Sequence, residues 1–386
     1  MASVVIIGPA YPLRGGLASF DERLAREFQS QQFDTTIYTF SLQYPSFLFP
    51  GTSQYSNEPA PGNLNIKVCI NSINPLNWIK VGKELKKSKP DIIVVRYWLP
   101  FMGPCFGTIL RIAKKNHHTK IICIADNVLP HEKRIADKQF TSYFLKSVDA
   151  FITMSEKVLD DLRLFTNKPA KKIIHPLYDN FGERIEKTEA RKYLGLNVND
   201  KIILFFGFIR KYKGLDILLE AMNVLKNRST VNGQQSADIK LLIAGEFYED
   251  RKLYDAIIEK HRLQSNIILR TNFISDSEVK YYLSVADFVI QPYRNATQSG
   301  VTPLAYHFEK PMLVTNVGGL PSLVPNGKAG LIAEPNAEDL AKKILDLYNT
   351  GEAYFLPHLR EEKKKYSWNV LVDTIKSFAN QVKSQN

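Results

Sequence analysis

The sequence predicts an α/β protein made of two Rossmann-like domains, each a doubly wound parallel sheet, that face a central cleft. Three observations predict this fold class. The 386 residues suffice for two domains of ordinary size. Short apolar runs alternate with amphipathic segments almost from the first residue, which is typical of right-handed βαβ units. The alternation stops at a polar, turn-rich stretch over residues 177–196 and then begins a second time.

The first series starts with the run VVIIG at residues 4–8. It is continuously apolar, as expected of a parallel strand that is covered on both faces. The segment 18–30 follows and places Phe20, Leu24 and Phe28 on one face of a helix. The same alternation predicts strands at 35–40, 66–70, 91–98, 120–125, 150–154 and 172–176, and helices near 77–87, 107–116, 138–146 and 155–164.

The second series opens with the apolar run ILFFGF at residues 203–208, followed by a helix over 214–226. Ser275 is predicted to start a later helix as a capping box, because Glu278 three residues on can reach back to it. Further strands are predicted at 239–246, 266–271, 287–293, 312–315 and 330–334, with a helix near 252–261.

Composition restricts the functional classes. Three cysteines, whose spacing fits neither a metal site nor a redox pair, indicate a reduced protein, so we expect a cytoplasmic location. The start lacks the basic region of a secretion signal, and no apolar run approaches the ~20 residues of a membrane span, so we expect neither secretion nor membrane insertion.

The charge is positive and unevenly distributed. The net charge is +12, and residues 1–180 contain 23 Lys and Arg against 15 Asp and Glu. A basic half favours an anionic partner. Nucleic acid is the least favoured choice, because the sequence contains no RNP-type motif, zinc finger or basic helix.

Two loops that follow predicted strands are candidate anion sites, because ligands of open α/β sheets bind beyond the carboxyl ends of the strands. Gly15 and Gly16 precede a helix and let backbone N–H groups approach an anion, although a simple tight turn is the alternative. Arg210 and Lys213 follow the strand ILFFGF and offer a planar fork and a point charge to phosphate oxygens. A solvated basic loop is the alternative there.

A third candidate loop is the small polar run over residues 295–301. It opens a predicted helix, where backbone N–H groups can receive a diphosphate. Helix capping by Asn295, Thr297 and Ser299 is the alternative, and both interpretations can hold at once.

These motifs, in this order, resemble those of the group 1 (family-4-type) retaining glycosyltransferases, which have the GT-B fold. The resemblance covers nearly the whole chain. The segments that carry it are the GG loop, GFIRKYKGLD at the start of the second series, AGE after its second strand, KPMLVTNVGGLPSLV and LIAEPN.

The resemblance implies transfer of a sugar from a nucleotide-sugar donor, such as a UDP- or GDP-sugar, with retention of anomeric configuration and without a cofactor. Arg210 and Lys213 would be catalytic and would neutralise the leaving diphosphate. Metal is not expected, because the sequence has no D-x-D motif and Asp276–Glu278 fits helix capping better. The remaining donor-binding residues implied are Gly15, Gly16, Asn272, Phe273, Ile274, Gln298, Ser299, Gly300 and Val301.

The sequence departs from the family at one place. The family usually has two glutamates eight residues apart where this chain reads ATQSGVTPLA, and the second one holds the donor ribose. Glu309 lies five residues too late to replace it. The segment looks like the TQSG-type version found in part of the family, so the ribose contact must come from elsewhere, or the donor differs, or the site is inactive.

The acceptor side is expected in the N-terminal domain. Asp126 stands where the family often has a histidine, and with His131 it is a candidate for proton handling; a capping or surface role is the alternative for His131. The other acceptor-binding candidates are Tyr97, Trp98, Asn127 and Glu132. Core packing is the alternative for the two aromatic side chains.

The resemblance also places the last helix back on the first domain. We therefore expect an acceptor-binding domain of residues 1–180 plus the C-terminal helix 367–386, and a nucleotide-sugar-binding domain of residues 190–366. The apolar loop 43–51 could contact an anionic membrane or a lipid-linked acceptor, or it could fold back over the sheet.

The leading hypothesis is a transferase that builds a cell-surface polysaccharide or glycolipid, in the cytoplasm or at the inner face of the membrane. The alternatives are a non-hydrolysing nucleotide-sugar epimerase and a catalytically inactive relative that binds a nucleotide sugar. A dinucleotide-dependent oxidoreductase is disfavoured, because neither first turn carries the required glycine fingerprint.

Overall fold

The computed structural model describes residues 1–45, 53–129, 136–228, 238–296 and 299–383. The chain divides into two compact units. The first unit comprises Met1–Pro176 and Ser367–Asn386, and the second comprises Leu177–Tyr366.

The first unit is built on a parallel sheet whose described strands lie in the order β3-β2-β1-β4-β5-β6-β7. The order reverses between β1 and β4, so ligand-binding loops are expected at the carboxyl ends of those two strands. Its strands are β1 (Ser3–Ile7), β2 (Asp34–Leu42), β3 (Asn65–Asn71), β4 (Ile92–Tyr97), β5 (Lys120–Ala125), β6 (Ala150–Thr153) and β7 (Ala170–Lys172), and its first helices are α1 (Gly16–Ser30), α2 (Pro75–Ser88), α3 (Gly103–Lys114), α4 (Asp137–Leu145) and α5 (Glu156–Arg163).

The second unit has a parallel sheet with the described order β10-β9-β8-β11-β12-β13, which reverses between β8 and β11. Its helices and strands are α6 (Lys187–Tyr193), β8 (Lys201–Phe206), α7 (Leu215–Asn227), β9 (Ile239–Ala244), α8 (Lys252–Lys260), β10 (Ile267–Arg270), α9 (Val279–Val285), β11 (Phe288–Gln291), α10 (Val301–His307), β12 (Met312–Thr315), α11 (Leu320–Leu323), β13 (Gly330–Ala333), α12 (Ala337–Thr350) and α13 (Glu352–Lys363). The last helix, α14 (Trp368–Lys383), belongs to the first unit.

The predicted fold class is confirmed: both units are Rossmann-like, with parallel sheets throughout. The continuous apolar runs form the central strands because helices cover both faces of each sheet. All residues of β4 and β5 are buried, as are the inner residues of β8.

Some predicted elements differ in detail. The strand predicted at 172–176 is β7, which ends at Lys172, so His175 lies beyond the sheet. Glu278 reaches back to the Ser275 backbone nitrogen (3.4 Å) and hydroxyl (2.6 Å), as a capping box predicts, but α9 begins only at Val279 after an intervening turn. The helices α12 and α13 were not predicted.

The described residues include no helix that is both long enough and apolar enough to cross a bilayer. Cys105 and Cys123 are buried, Cys69 is partly buried, and all three are free thiols.

Candidate active site

The loops that follow β8 and β11 meet at the point where the strand order of the second sheet reverses. Gly214 joins the loop after β8 to α7 with a φ of 67°, and a Cβ there would lie 2.0 Å from the carbonyl oxygen of Pro292. The backbones can approach so closely only because residue 214 is glycine. The contact holds Lys213, the residue before it, against the loop after β11.

The Lys213 side chain is enclosed, being only 8% exposed. Its ammonium lies 3.1 Å from where a Cβ on Gly207 would be and 5.9 Å from the centroid of the Tyr293 ring. Burial, and secondarily the charge of Arg210, lowers its pKa to about 7. Within the described parts of the chain, no carboxylate or other hydrogen-bond acceptor offsets that charge. A buried ammonium of this kind is a candidate ligand-binding group.

Arg210 lies at the start of the same turn, with its guanidinium 5.0 Å from the centroid of the Tyr248 ring. The turn is held by two hydrogen bonds: the Lys211 backbone N–H donates to the Glu249 carboxylate (2.7 Å), and the Arg294 backbone N–H donates to the Tyr212 carbonyl (2.7 Å). The two predicted catalytic cations are thus held together at one edge of the sheet.

The loop between β11 and α10 contains the predicted Ser299, Gly300 and Val301. The Ser299 hydroxyl lies 3.2 Å from the Tyr293 hydroxyl and accepts from the Val301 N–H at 3.2 Å. Val301 also comes within 3.9 Å of the Cβ position at Gly207, which brings the start of α10 beside Lys213. The predicted Gln298 lies outside the described residues.

Asn272, Phe273 and Ile274 follow β10, two strands from β8 at the same carboxyl edge of the sheet. Asn272 is exposed, and the other two side chains are partly buried. The loop is in position to contact a ligand that extends along this edge.

Glu309 is held at the opposite end of α10 from Ser299. Its carboxylate pairs with Arg184 (3.2 Å), Arg360 (3.0 Å) and Lys363 (3.9 Å). Because these three cations fix it, Glu309 does not supply a carboxylate to the loop after β11.

In the first unit, Gly15 caps α1 with a φ of 102°, a conformation that favours glycine. Arg14 lies directly before Gly15. Its guanidinium donates to the Ser53 carbonyl (2.8 Å) and so holds this end of the loop. Gly15 and Gly16 therefore lie beyond the carboxyl end of β1, as predicted, at the reversal of strand order in the first sheet.

Asp126 lies at the end of β5 and is bound to Arg96 of β4. Both of its oxygens accept from the guanidinium, at 2.6 and 2.8 Å, and both residues are buried. Any catalytic role of Asp126 therefore involves Arg96 as well.

A second carboxylate completes this buried cluster. Asp21, on α1, is 1% exposed, and its Oδ1 lies 3.7 Å from the Arg96 Nη1. Neither of its oxygens accepts a hydrogen bond from any described residue, and burial raises its pKa well above the usual range. Nearby, burial and then the charge of Arg96 lower the pKa of His175 to about 4. Sequence analysis missed Asp21, although its place on the apolar face of α1 is a signal of an unusual environment.

Tyr97 is a core residue rather than an acceptor-binding one. Its ring is fully buried and stacks on Phe144 (centroids 4.2 Å apart), and its hydroxyl lies 3.0 Å from that of Thr141. The alternative of core packing is therefore correct for Tyr97. Trp98 is partly buried and donates to the Tyr44 hydroxyl at 2.6 Å.

The structure describes only some of the other residues predicted to bind the acceptor. Asn127 follows β5 and is partly buried. His131 and Glu132 lie outside the described residues, as does most of the apolar loop 43–51, of which residues 43–45 are described.

Two family models match the chain. The model described as glycosyl transferases group 1 matches residues 186–366, and the model of glycosyltransferase family 4 matches residues 14–176. Together they cover most of both units.

Individual proteins similar to the chain are also glycosyltransferases. The chain is 25% identical over 366 residues to an uncharacterized glycosyltransferase of Methanocaldococcus jannaschii, covering 94% of this chain and 93% of that protein. It is 26% identical over 245 residues to the lipopolysaccharide core biosynthesis mannosyltransferase LpsB of Rhizobium meliloti, covering 62% and 64% of the two chains.

Among solved structures, Anabaena Alr3699/HepE in complex with UDP-glucose superposes with a TM-score of 0.69 at 13% identity, over all of both chains. At that identity the likeness concerns the fold alone. Because the two family models match most of the chain, and because its two Rossmann-like units are those of the GT-B fold, the chain belongs to the group 1 glycosyltransferases.

Proposed function

We propose that this glycosyltransferase moves a sugar from a nucleotide-sugar donor to a glycan or lipid-linked acceptor, with retention of configuration, in the synthesis of a cell-surface polysaccharide or glycolipid. The second unit binds the donor, and the first unit binds the acceptor.

The observation that carries the proposal is the uncompensated Lys213 ammonium beside Arg210. Two cations held in one turn repel each other, and burial of one of them adds a desolvation cost. A diphosphate in contact with both would remove the repulsion and supply the missing counter-charge. Phosphate is the appropriate anion, because the loops around Lys213 lie where the strand order reverses and where such sheets bind nucleotides.

The same two cations can promote the chemistry. As the glycosidic bond breaks, the sugar acquires oxocarbenium character and the departing nucleoside diphosphate gains negative charge. Fixed cations stabilise that charge more in the transition state than in the ground state, which raises kcat. Because Lys213 and Arg210 neutralise the leaving group, we propose that the reaction needs no metal ion.

The acceptor class is inferred from the relatives. LpsB, by its name, acts in lipopolysaccharide core biosynthesis, and the solved HepE structure holds UDP-glucose. These names support a nucleotide-sugar donor and a surface glycan or its lipid-linked precursor as acceptor.

A second candidate is a relative that binds a nucleotide sugar without turning it over. The observation that favours it is the absence of any carboxylate between residues 296 and 305. In this case the fold and the Lys213 site would serve binding alone.

One experiment separates these functions. The protein is incubated with UDP-, GDP- and ADP-sugars and with glycolipid acceptors in the presence of EDTA, and release of free nucleotide and the anomeric configuration of the product are followed. Acceptor-dependent release with a retained anomer is expected. Interconversion of sugars without an acceptor would identify an epimerase, and binding without release would identify an inactive relative.

Matched variants connect the activity to the site. Arg210→Ala and Lys213→Ala should each reduce kcat by about 10²- to 10³-fold, the usual effect of removing one charge-stabilising group. Lys211→Ala, in the same turn but exposed, should retain normal turnover. Equal turnover of all three variants and the unaltered protein would exclude the proposed role of the two cations.

A further inference from the structure

The loop after β9 lies alongside the turn that contains Arg210. A short parallel bridge joins Ile209 to Phe247, and within it the Tyr248 N–H donates to the Ile209 carbonyl at 3.0 Å. Successive side chains of an extended segment point to opposite faces. Because Ile209 is buried, Phe208 and Arg210 lie on the other face, where both contact Tyr248.

The Tyr248 ring is packed between these two side chains. Its centroid lies 4.3 Å from that of the Phe208 ring and 5.0 Å from the guanidinium carbon of Arg210. A guanidinium within about 6 Å of an aromatic centroid is attracted to the ring. Arg210 is otherwise exposed, so this contact limits the conformations that its long side chain adopts.

An aromatic partner leaves the charge of Arg210 in place. Among the residues that the structure describes, no carboxylate pairs with its guanidinium. Arg294, in the loop after β11, shows the contrast, because its guanidinium is paired with Asp216. A carboxylate would also hold Arg210, but it would cancel the charge and occupy the N–H groups that a diphosphate needs. A ring attracts the guanidinium without supplying a negative charge.

We propose that Tyr248 is a positioning residue for Arg210, whose guanidinium its ring holds ready for the donor diphosphate without neutralising it. This inference rests on the proposed function, in which Arg210 stabilises the leaving group. Tyr248 acts on the reaction only through Arg210. Its loss therefore lowers kcat, as the loss of Arg210 does but to a smaller extent, and leaves the acceptor KM unchanged.

The test is a double-mutant cycle on turnover of the nucleotide sugar identified by the activity screen. Tyr248→Leu should reduce kcat by about fivefold, the usual contribution of a contact between a cation and a ring. In an Arg210→Ala background the same change should have less than about a twofold effect, because the group that Tyr248 positions is gone. Tyr248→Phe, which keeps the ring, should retain turnover within about twofold.

A further variant separates holding the guanidinium from neutralising it. Tyr248→Glu places a carboxylate beside Arg210, which would fix the side chain but cancel its charge. It should therefore reduce kcat more than Tyr248→Leu does.

The matched control is Phe247→Leu, in the same loop. The Phe247 ring lies 5.8 Å from the guanidinium carbon of Arg251, which pairs with Asp255 at the start of α8 (3.0 Å) and has no part in the proposed site. This variant should keep turnover within about twofold. Circular dichroism and thermal unfolding verify that each variant is folded.

The outcomes distinguish this proposal from the proposed function. If the unaltered protein binds UDP or GDP without turnover, the proposed transfer is wrong, and the same cycle on the Kd of that nucleotide should give the same ratios. Absence of both turnover and binding, or an Arg210→Ala variant that changes neither, would refute the role of Arg210 and the positioning with it.

Four results would overturn the positioning alone, once Arg210→Ala has reduced activity. They are an unchanged kcat in Tyr248→Leu, an equal loss in Tyr248→Phe or in the Phe247→Leu control, a fivefold loss that persists in the Arg210→Ala background, and a Tyr248→Glu variant more active than Tyr248→Leu.

Discussion

The uncompensated Lys213 ammonium predicts that donor binding depends on pH. In the free protein, burial lowers the pKa of this group to about 7, from an ordinary value of 10.5. A diphosphate in contact with the ammonium favours its charged form, so the pKa of Lys213 rises again in the complex. Binding therefore takes up a proton wherever the free protein has lost it.

The size of the effect follows from linkage. Below pH 7 the group is charged in both states, and affinity is independent of pH. Above pH 7 each further pH unit weakens binding by up to tenfold, because the proton must be added at a cost of about 1.4 kcal/mol per unit. Between pH 6 and pH 8.5 the Kd of an intact nucleotide sugar should rise by about thirtyfold.

Isothermal titration calorimetry with the nucleotide sugar identified by the activity screen is the assay. Titrations in buffers of different ionisation enthalpy count the protons taken up, and about half a proton is expected at pH 7. Lys213→Arg should bind with a flat pH profile, because a guanidinium stays charged over this range. Lys213→Met should bind weakly and equally flatly, and the control Lys211→Gln should follow the unaltered protein.

Stability gives an independent readout with a defined sign. The pKa of Lys213 is lower in the folded than in the unfolded chain, so the unfolded chain binds more protons between pH 7 and 10.5, and stability increases with pH across that window. Below pH 7 burial of the charged Lys213 lowers the free energy of unfolding by its full amount, about 5 kcal/mol at most. Lys213→Met should therefore unfold at a higher temperature than the unaltered protein at pH 6. A flat binding profile in the unaltered protein, together with a Lys213→Met variant that is no more stable, would refute the reasoning.

Two substitutions test how the first unit uses its buried polar groups. Arg96→Met should lower the free energy of unfolding in urea by about 3–5 kcal/mol, because Asp126 and Asp21 would be left buried without their cation; a loss under 1 kcal/mol would indicate that water already solvates them. Tyr97→Phe should cost about 1 kcal/mol through the lost contact with Thr141 and leave the acceptor KM unchanged; an increased KM would place Tyr97 in contact with the acceptor after all.

The fold could be predicted because its signals are local. Runs such as VVIIG and ILFFGF are continuously apolar, and a strand covered by helices on both faces requires that pattern wherever it occurs in the sheet. The missed helix α12 also carries a local signal, since the Asn336 side chain accepts from the Asp339 N–H at 2.9 Å as an N-cap does. An asparagine followed three residues later by an acidic residue is a helix-start motif that the sequence itself contains.

The site could be predicted only as a set of loops. Sequence pattern places Lys213 after a strand, but its burial also depends on Tyr293 and Val301, which the segment after β11 brings to it. Likewise, no local pattern connects Asp21 to Arg96, since they are 75 positions apart and meet only through the order of the strands. Tyr97 was expected to line the acceptor site but is packed in the core. An aromatic residue at the end of a strand can face the core or the solvent, and only tertiary packing decides which.

The two units contain buried charge of different kinds, and the difference indicates where an anion binds. Arg96 is buried with Asp126 accepting two hydrogen bonds and Asp21 close by, so its charge is balanced inside the protein. Lys213 is buried to a similar degree and lacks such a partner among the described residues. A protein can retain an unbalanced buried cation at the expense of stability when a ligand supplies the opposite charge. By this argument we propose that the leaving diphosphate binds to the second unit, and that the balanced cluster of the first unit helps to organise a neutral partner such as a sugar hydroxyl.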